Sequence, residues 1–299
     1  MPGPELQRRA AELGRDRVPY VHARVVLAEA PTSAKPGAEA LILPDGTLEG
    51  FVGGNCAEST VRAQGLTLLD SGESLLLRIT PEPEPDQPGK LVVHNPCLSG
   101  GTLEIFMEPV LPAPTMIVVG ASPVAAALVG LANHLGYHAV SPQQVDADVV
   151  ADAAAVVVAS HGRDEEPALI AALEGDVPYV GLVASAKRGQ AVIESLGMCP
   201  SHTSRIHSPA GLDIGARTPD EVALSIMSEI VSLRPRPSGR SVTETSSTTK
   251  TATDPVCGMP VVMIDASLHL DQDGTRHWFC GSGCLRAFAS NPSAYQSAT

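Results

Sequence analysis

Three cysteines near the C-terminus form the pattern with the clearest chemistry in this sequence. Cys257, Cys280 and Cys284 follow one another with a C-x22-C-x3-C spacing. Three thiols in a segment too small for an independent core indicate a soft-metal site, and Zn²⁺ or Cu(I) suits thiolate ligands best. The alternative is a small packing module whose cysteines bind nothing. Candidates for a fourth ligand are His269, His277, Met259, a water or a partner group.

Two further cysteines lie beside paired glycines, in residues 53–58 (GGNCAE) and 95–101 (NPCLSGG). Cys56 falls in the first turn of a predicted helix, where the helix dipole favours a thiolate, and Glu58 follows it as a candidate acid or base. Two such loops in one domain predict a shared pocket that Cys56 and Cys97 face. The alternative is that Cys56 is a small buried hydrophobe and Glu58 a surface residue. The pocket would be lined by Gly53, Gly54, Gly100 and Gly101.

A glycine turn at residues 120–125 (GASPVA) follows an apolar strand and opens a helix. A dinucleotide-binding turn would have Gly-x-Gly-x-x-Gly or Ala there. Gly120 and Ala125 fit that pattern, but Ser122 replaces the second glycine, and no acidic residue follows the next strand at Val140. The helix N-terminus can still hold an anion. The turn therefore indicates a Rossmann-like domain with an altered ligand site rather than an NAD site.

Polar residues also follow the later strands of the same region. His161 is a candidate acid, base or anion contact, and Asp164 fits either that site or the cap of the next helix. Lys187 and Arg188 could meet a phosphate, or could be a solvated basic pair. The glycine-rich loop 208–215 (SPAGLDIG) could close over the same edge, or simply pack. In doubly wound sheets the carboxyl edge is where ligands bind.

The elements that must position these residues predict an α/β chain in three parts. Residues 1–112 form an α+β domain, 113–234 a Rossmann-like doubly wound parallel sheet, 235–253 a flexible Pro/Ser/Thr-rich linker, and 254–299 a small metal-binding module. In the first domain we predict helices at 5–13 and 56–69, and strands at 21–28, 38–43, 47–52, 74–79 and 102–107. In the second we predict strands at 116–119, 138–140, 154–160 and 179–183, and helices at 124–135, 166–173 and 219–231.

Composition and charge exclude several classes of protein. The net charge of −13 falls entirely before the linker, and no segment is basic, so we expect no nucleic-acid partner. No run of about 18 apolar residues predicts a membrane span. The first residues lack the apolar core of a signal peptide, so we expect a cytoplasmic protein with reduced thiols. The last fifty residues hold four of the nine aromatic side chains, which suits a separate small core.

Residues 1–233 resemble the XdhC/CoxI family of accessory factors for xanthine dehydrogenase and carbon monoxide dehydrogenase. The matching stretches are residues 53–58, Cys97 with the glycines 100 and 101, 118–122 (VVGAS), 160–161, 205–216 (RIHSPAGLDIGA) and 218–221 (TPDE). Residues 254–296 resemble a YHS domain through DPVCGM, WFC, GC, Phe288, the Asn-Pro pair at 291–292 and Tyr295.

These resemblances imply a function. Such accessory factors bind the molybdenum cofactor, assist its sulfuration and hand it to the apo form of a molybdenum hydroxylase. A cysteine desulfurase is then a further candidate partner, and a homodimer is compatible with the sequence. The protein would be a cofactor chaperone more than a catalyst. The YHS resemblance implies metal binding by Cys257, Cys280 and Cys284. Two other interpretations stay open: an NAD(P)-dependent oxidoreductase that uses the Gly120 turn, and a metal sensor or metallochaperone that acts through the C-terminal module.

Overall fold

A computed structural model describes residues 3–95, 101–234, 250–272 and 274–295. Its contacts divide the chain into two compact units. The first unit combines Met1–Pro112 with Pro237–Thr299, and the second unit is Ala113–Arg236. Within the described ranges, no helix is long and apolar enough to cross a membrane.

The first unit is built on a six-stranded sheet in the order β3-β2-β1-β6-β4-β5. All neighbours are antiparallel except β4 and β5. Its apolar face buries residues such as Val21, Ile42 and Ile105 against helix α2. The elements are α1 (Gly3–Arg15), β1 (Tyr20–Glu29), β2 (Glu39–Ile42), β3 (Leu48–Gly50), α2 (Asn55–Ser71), β4 (Leu75–Thr80), β5 (Leu91–His94) and β6 (Thr102–Val110).

The second unit is a parallel sheet in the order β11-β10-β9-β7-β8, with helices on both faces. Counted along this unit the order is 2-1-3-4-5, a doubly wound topology whose connections reverse between β7 and β9. The elements are β7 (Thr115–Val119), α3 (Pro123–His134), β8 (His138–Val140), α4 (Ala147–Val150), β9 (Ala153–Val158), α5 (Glu165–Glu174), β10 (Tyr179–Leu182), α6 (Ala186–Ser195), α7 (Pro200–Thr203), β11 (Ile206–His207) and α8 (Pro219–Leu233).

The C-terminal module, residues 250–295, belongs to the first unit and packs one of its hairpins on helix α2. Its small core is centred on Phe279 and Phe288, whose rings lie 5.3 Å apart. The elements are β12 (Thr251–Thr253), β13 (Pro260–Val262), β14 (Leu268–Gln272), β15 (Thr275–Phe279), α9 (Ser282–Ser290) and a short 3₁₀ helix (Pro292–Ala294).

The predicted fold class is confirmed, and the predicted elements differ from the structure in a few places. The strand predicted at 154–160 ends at Val158, because Ala159 and Ser160 already belong to the turn at the carboxyl edge. Strands β5 and β11 were not predicted. Each is short, and each joins its sheet through a parallel neighbour, β4 or β10, that local sequence does not reveal.

A buried ion-pair network links the last strands of the first sheet. Glu104 on β6 accepts hydrogen bonds from Lys90 Nζ at 2.5 Å and Arg78 Nη1 at 2.9 Å. The hydrogen bond from Lys90 and that from Arg78 hold the pKa of Glu104 below its ordinary value, against the opposing effect of burial. Because the folded-state pKa is depressed, this stabilisation is present above the ordinary carboxyl pKa and is lost as the pH falls through the folded value.

We therefore expect Glu104→Gln to lower the free energy of unfolding at neutral pH by about 2 kcal/mol, because the half-buried Lys90 loses its carboxylate and Arg78 keeps only Glu84 as a partner. The deficit relative to wild type should shrink as the pH is lowered toward about 3. Urea unfolding followed by circular dichroism over a pH series measures it. The control is Glu108→Gln on the exposed side of the same strand, which should change little. A deficit that stays constant with pH would contradict the prediction.

Candidate functional site

A cavity of about 690 Å³ lies at the carboxyl edge of the second unit's sheet, where the strand order reverses. Its walls come from the ends of three strands, with Gly120 and Ser122 after β7, Gln143 after β8, and His161 and Arg163 after β9. A switch point at this edge is where doubly wound sheets bind ligands. The sequence predicted Gly120, Ser122 and His161 for this edge, but Arg163 and Gln143 were not singled out.

The two key residues of the glycine turn have separate structural roles. Gly120 has a φ of +113°, and a Cβ there would lie 2.6 Å from the carbonyl oxygen of Ala159, so only glycine fits. Ser122 is the N-cap of α3, and its hydroxyl accepts a hydrogen bond from the backbone N–H of Ala125 at 3.1 Å. Ser122 is therefore a buried cap that begins the helix, which explains why a serine stands where a dinucleotide site has glycine.

The buried carboxylate of Glu165 anchors the loop that carries His161. Glu165 accepts hydrogen bonds from the backbone N–H of Gly162 at 2.7 Å and from the guanidinium of Arg188. Burial acts to raise the pKa of Glu165, but these hydrogen bonds keep it below its ordinary value. Asp164 stands at the N-cap position, yet its side chain makes no cap hydrogen bond. Arg188 is thus already paired with Glu165, and Lys187 is exposed beside it.

A second cavity, of about 700 Å³, lies beside the first and shares His161 with it. One wall is the loop 208–215, including Gly211, whose backbone N–H donates to Glu229 Oε2 at 2.8 Å. The hydroxyl of Tyr179 donates to the same oxygen at 2.6 Å, and His207 Nδ1 lies 3.1 Å from the other. Glu229 therefore fixes this loop to β10, β11 and α8. The sequence left open whether this loop closes over the edge or simply packs, and it did not indicate which carboxylate holds it.

The glycine loop of the first unit lines a separate cavity of about 280 Å³. Gly54, Cys56 and Gly101 all face it, so two of the predicted loop segments do share a pocket. Gly101 sits against the carbonyl oxygens of Glu29 and Pro31, where a Cβ would clash. Asn95 also lines this cavity. It is 4 % exposed, and its Oδ1 has no hydrogen-bond partner among the described residues.

The other residues predicted for this pocket are placed differently. Cys97 and Gly100 lie outside the described residues. Gly53 is buried at the turn before α2. Glu58 is half-buried one turn along α2, where burial raises the pKa of its carboxyl against the opposing charge of Arg62. Glu58 does not line the cavity, so among the described residues Cys56 is the one predicted acid, base or thiol group that does.

The three C-terminal thiols meet in one cluster. Cys257 Sγ lies 3.4 Å from Cys280 Sγ, which lies 3.7 Å from Cys284 Sγ. The fourth potential ligand in the cluster is Asp254, and all four ligand atoms lie within 4.8 Å of one another. Neither His269 nor His277 joins this group; their rings pack on Trp278 and Phe288. Sequence reasoning did not single out Asp254, which directly begins the DPVCGM stretch.

The short distances between these thiols and their pKa values both favour a single negative charge that the cluster shares. The hydrogen bond with Cys280 lowers the pKa of Cys257 to about 7, while that with Cys257 raises the pKa of Cys280. Burial, together with the charge of Asp254, raises the pKa of Cys284 to about 12. The cluster thus holds one thiolate readily, and a cation would be needed to deprotonate the rest.

A cysteine that sequence reasoning missed lies in the second unit. Cys199 is exposed, with its Sγ 3.1 Å from Ser201 Oγ and 2.7 Å from His202 Nδ1. The hydrogen bond from Ser201 and that from His202 lower the pKa of this thiol to about 7. The C-x-x-H spacing before a turn was the available signal.

We therefore expect iodoacetamide to alkylate Cys199 with a pH midpoint near 7, because the thiolate forms above that pH. His202→Ala should move the midpoint up toward about 8.5, the ordinary thiol value. Mass spectrometry of the peptide that contains Cys199 gives the rate. Ser204→Ala is the control, since that hydroxyl bonds only a backbone carbonyl. An unchanged midpoint in His202→Ala would refute the assignment.

The fold and its cavities define a protein with an α+β domain carrying a thiol loop, followed by a Rossmann-like domain with an open ligand cavity. Comparison with protein families agrees with this description. Residues 13–80 match the XdhC and CoxI family, and residues 116–230 match the XdhC Rossmann domain. The chain thus carries both an XdhC and CoxI family domain and an XdhC Rossmann domain. The YHS resemblance of residues 254–296 stays a prediction.

Three curated relatives share this similarity. The chain is 26 % identical to the uncharacterized protein YqeB of Escherichia coli K12, over 75 % of this chain and 45 % of YqeB. It is 27 % identical to a probable xanthine dehydrogenase subunit of Bacillus subtilis 168, over 45 % and 47 %. It is 22 % identical to the molybdenum cofactor insertion chaperone PaoD of E. coli K12, over 68 % and 80 %. The chain spans about half the length of the first two.

Proposed function

We propose that this protein is a maturation factor for molybdenum enzymes. It would bind the molybdenum cofactor as cargo and pass it to an apo molybdenum hydroxylase of the xanthine dehydrogenase or carbon monoxide dehydrogenase type. The two domain matches support this role, and so does the similarity to a protein named as a molybdenum cofactor insertion chaperone. The observation that carries the proposal is the cavity of about 690 Å³ at the switch point of the second unit.

The residues of that cavity suit a pterin that bears a phosphate. The cavity lies in the size range of small-molecule sites. It places the N-terminal end of α3 beside His161 and Arg163, which can donate hydrogen bonds to phosphate oxygens. The predicted contact Arg188 already neutralises Glu165, so Arg163 is the better cationic partner. Lys187 would contribute only long-range attraction.

Retention of the cofactor tests this proposal. Purified protein mixed anaerobically with molybdenum cofactor should keep it through gel filtration, measured by molybdenum content. Arg163→Gln and His161→Ala should each reduce retention several-fold. The control is Arg15→Gln, which removes one exposed charge from helix α1 of the other unit. No retention by the wild type, or equal loss in the control, would count against this site.

Cys56 is proposed to serve the sulfuration of the cofactor together with Cys97, with a cysteine desulfurase as the source of sulfur. Its support is that Cys56 lines a cavity with Gly54 and Gly101 and lies near the N-terminus of α2. Cys56→Ser should reduce activation of a partner apoenzyme while cofactor retention stays normal. Cys199→Ser is the matched control. Normal activation by Cys56→Ser would remove Cys56 from this role.

The C-terminal cluster is proposed to hold Zn²⁺ or Cu(I) through Cys257, Cys280 and Cys284. The Sγ atom of Cys280 lies 3.4 Å from that of Cys257 and 3.7 Å from that of Cys284. This supports the proposal, since soft cations select thiolates. Elemental analysis of the full chain tests it, and metal affinity should fall as the pH is lowered and the thiols reprotonate. The protein could instead bind metal in proportion to the metal supply and retain no molybdenum cofactor. In that case a metal sensor or metallochaperone becomes the better assignment.

The oxidoreductase alternative has less support. Ser122 is committed to capping α3, and the described residues that line the cavity after β8 are Ser141, Pro142 and Gln143, with no acid to hold a ribose. Calorimetric titration with NAD(H) and NADP(H) should therefore show no binding. Measurable binding of either cofactor would instead support an NAD(P)-dependent oxidoreductase.

A further inference from the structure

Cys56 lies next to the C-terminal thiol cluster as well as on its own cavity. It is half-buried and, like Cys257 and Cys284, packs against the buried core of the C-terminal module, which includes Cys280. Asn55, the residue before Cys56, donates to Ser282 of the module, close to Cys280 in sequence. Two residues more than 200 positions apart in sequence are thus neighbours inside the first unit. The chain therefore brings four cysteines together: three from the module and one from the glycine loop.

Contacts around Cys56 show that this neighbourhood is built by both segments. The side-chain amide of Asn55 donates to Ser282 Oγ at 3.4 Å. The backbone at Gly281 lies so close that a Cβ there would be 3.3 Å from Asn55 Cβ. Nearly two turns further along α2, Arg62 donates to the carbonyl of Gly46 at 2.8 Å, and Ile264 of the module packs on that same glycine. The module is therefore docked along α2, not only at the thiol.

We propose that Cys56 is the fourth thiolate of a soft-metal site that joins the glycine loop to the C-terminal module. The ligands would be Cys56, Cys257, Cys280 and Cys284, and the metal a thiophilic cation such as Zn²⁺ or Cu(I). This rests on the metal-binding part of the proposed function and goes beyond it, because it assigns a ligand from another domain. It also makes metal binding and Cys56 chemistry mutually exclusive, since a coordinated thiolate is not free to handle sulfur.

The spacing of the three module thiols suits a tetrahedral metal. With metal–sulfur bonds of about 2.3 Å, the sulfurs of a tetrahedral site lie about 3.8 Å apart. The two distances within the module, 3.4 and 3.7 Å, are already close to that value. Cys56 is not among the ligand atoms that lie within 4.8 Å of one another, so its side chain would have to move toward the module thiols to complete the site.

Asp254, the other candidate for the fourth position, is committed to the backbone. One of its carboxylate oxygens accepts from Val256 N–H at 2.9 Å and the other from Cys280 N–H at 2.7 Å. It is fully buried, so it has a structural role: it stabilises the turn that contains Cys257 and ties it to the backbone of Cys280. A thiolate is also the softer ligand, which a Cu(I) or Zn²⁺ site with three thiolates would favour.

Two helix N-termini face the same cluster and would stabilise its negative charge. Cys56 lies in the first turn of α2, whose N-cap Gly54 makes no side-chain cap. Cys284 lies in the first turn of α9, whose N-cap Gly281 likewise makes none. Four thiolates around one cation leave a net negative charge, and the positive ends of both helix dipoles oppose it.

Cadmium binding to the reduced full chain tests the number of thiolates. The sulfur-to-cadmium charge-transfer absorption rises with each thiolate ligand, so Cys56→Ser should lose about a quarter of the wild-type absorption per bound ion. Its affinity should fall by at least about tenfold. Cys199→Ser, in the second unit, should match the wild type. The fluorescence of Trp278, the single tryptophan and part of the module core, shows whether each variant keeps the module folded.

Protection from alkylation provides a second measurement that does not need a variant. Zn²⁺ should slow the modification of Cys56 by iodoacetamide at least about tenfold, as followed by mass spectrometry, while Cys199 reacts at an unchanged rate. Equal absorption in Cys56→Ser and wild type, or no protection of Cys56, would overturn this inference and leave the three-cysteine site intact. A wild type that binds no cadmium would overturn both. Neither result depends on the molybdenum cofactor.

Discussion

Gly120→Ala is expected to lower the free energy of unfolding of the second unit by about 3 kcal/mol or more, combining backbone strain with overlap. The strain arises because Gly120 has a φ of +113°, a region that alanine avoids. The overlap arises because the new Cβ would meet the carbonyl oxygen of Ala159 and the Cα of Ser160 at 2.6 Å. These atoms belong to backbone, so they cannot move aside as a side chain would.

Because Gly120 and Ser160 line the switch-point cavity, Gly120→Ala should also abolish cofactor retention in the fraction that folds. Thermal unfolding followed by circular dichroism, combined with molybdenum content after gel filtration, measures both effects. Gly130→Ala in the middle of α3 is the matched control. A Cβ there meets nothing within 4 Å, and alanine in a helix interior should stabilise by about 0.5–1 kcal/mol. Similar behaviour of the two variants would mean that the turn tolerates a side chain.

The sequence was most informative where local chemistry and tertiary structure agree. The run MIVV before Gly120 predicted a buried strand, and β7 is buried on both faces. The TPDE stretch predicted the start of a helix, and Thr218 with Glu221 forms a capping box at α8. In both cases the residues that specify the element are adjacent in the chain, so periodicity and capping chemistry suffice to predict them.

What could not be predicted depends on contacts between distant segments. In the sequence, Glu229 is simply one polar residue of an amphipathic helix. In the structure, its carboxylate bonds Tyr179, His207 and Gly211 and so holds them together. The sequence left Arg188 as either a phosphate contact or part of a solvated basic pair, but its charge is neutralised by Glu165, twenty-three residues earlier. The approach of Cys56 to Cys280 follows from docking of the C-terminal module on α2, a contact that neither segment encodes by itself.

The second large effect is expected at Asp254, which is fully buried beneath the thiol cluster. Asp254→Asn keeps the shape of the side chain but replaces one acceptor oxygen with an N–H₂ group. In the wild type, Asp254 accepts hydrogen bonds from Val256 N–H at 2.9 Å and from Cys280 N–H at 2.7 Å. In the variant, one of these two N–H groups would face the side-chain N–H₂ group instead of an acceptor oxygen. The loss of one charged hydrogen bond and the burial of an unsatisfied N–H should together destabilise the C-terminal module by about 3 kcal/mol.

This loss should be visible without any metal, and that separates a structural Asp254 from a metal ligand. In the metal-free protein, Asp254→Asn should lower the urea midpoint of the Trp278 fluorescence transition, because Trp278 packs in the same core as Cys280. Asp265→Asn, an exposed residue of the same module, should leave it unchanged. If Asp254 were instead the fourth ligand, its substitution would weaken cadmium binding while the metal-free transition stayed at the wild-type midpoint. A shifted midpoint, together with four-thiolate absorption in the folded fraction, would assign Asp254 to the turn and the fourth position to Cys56.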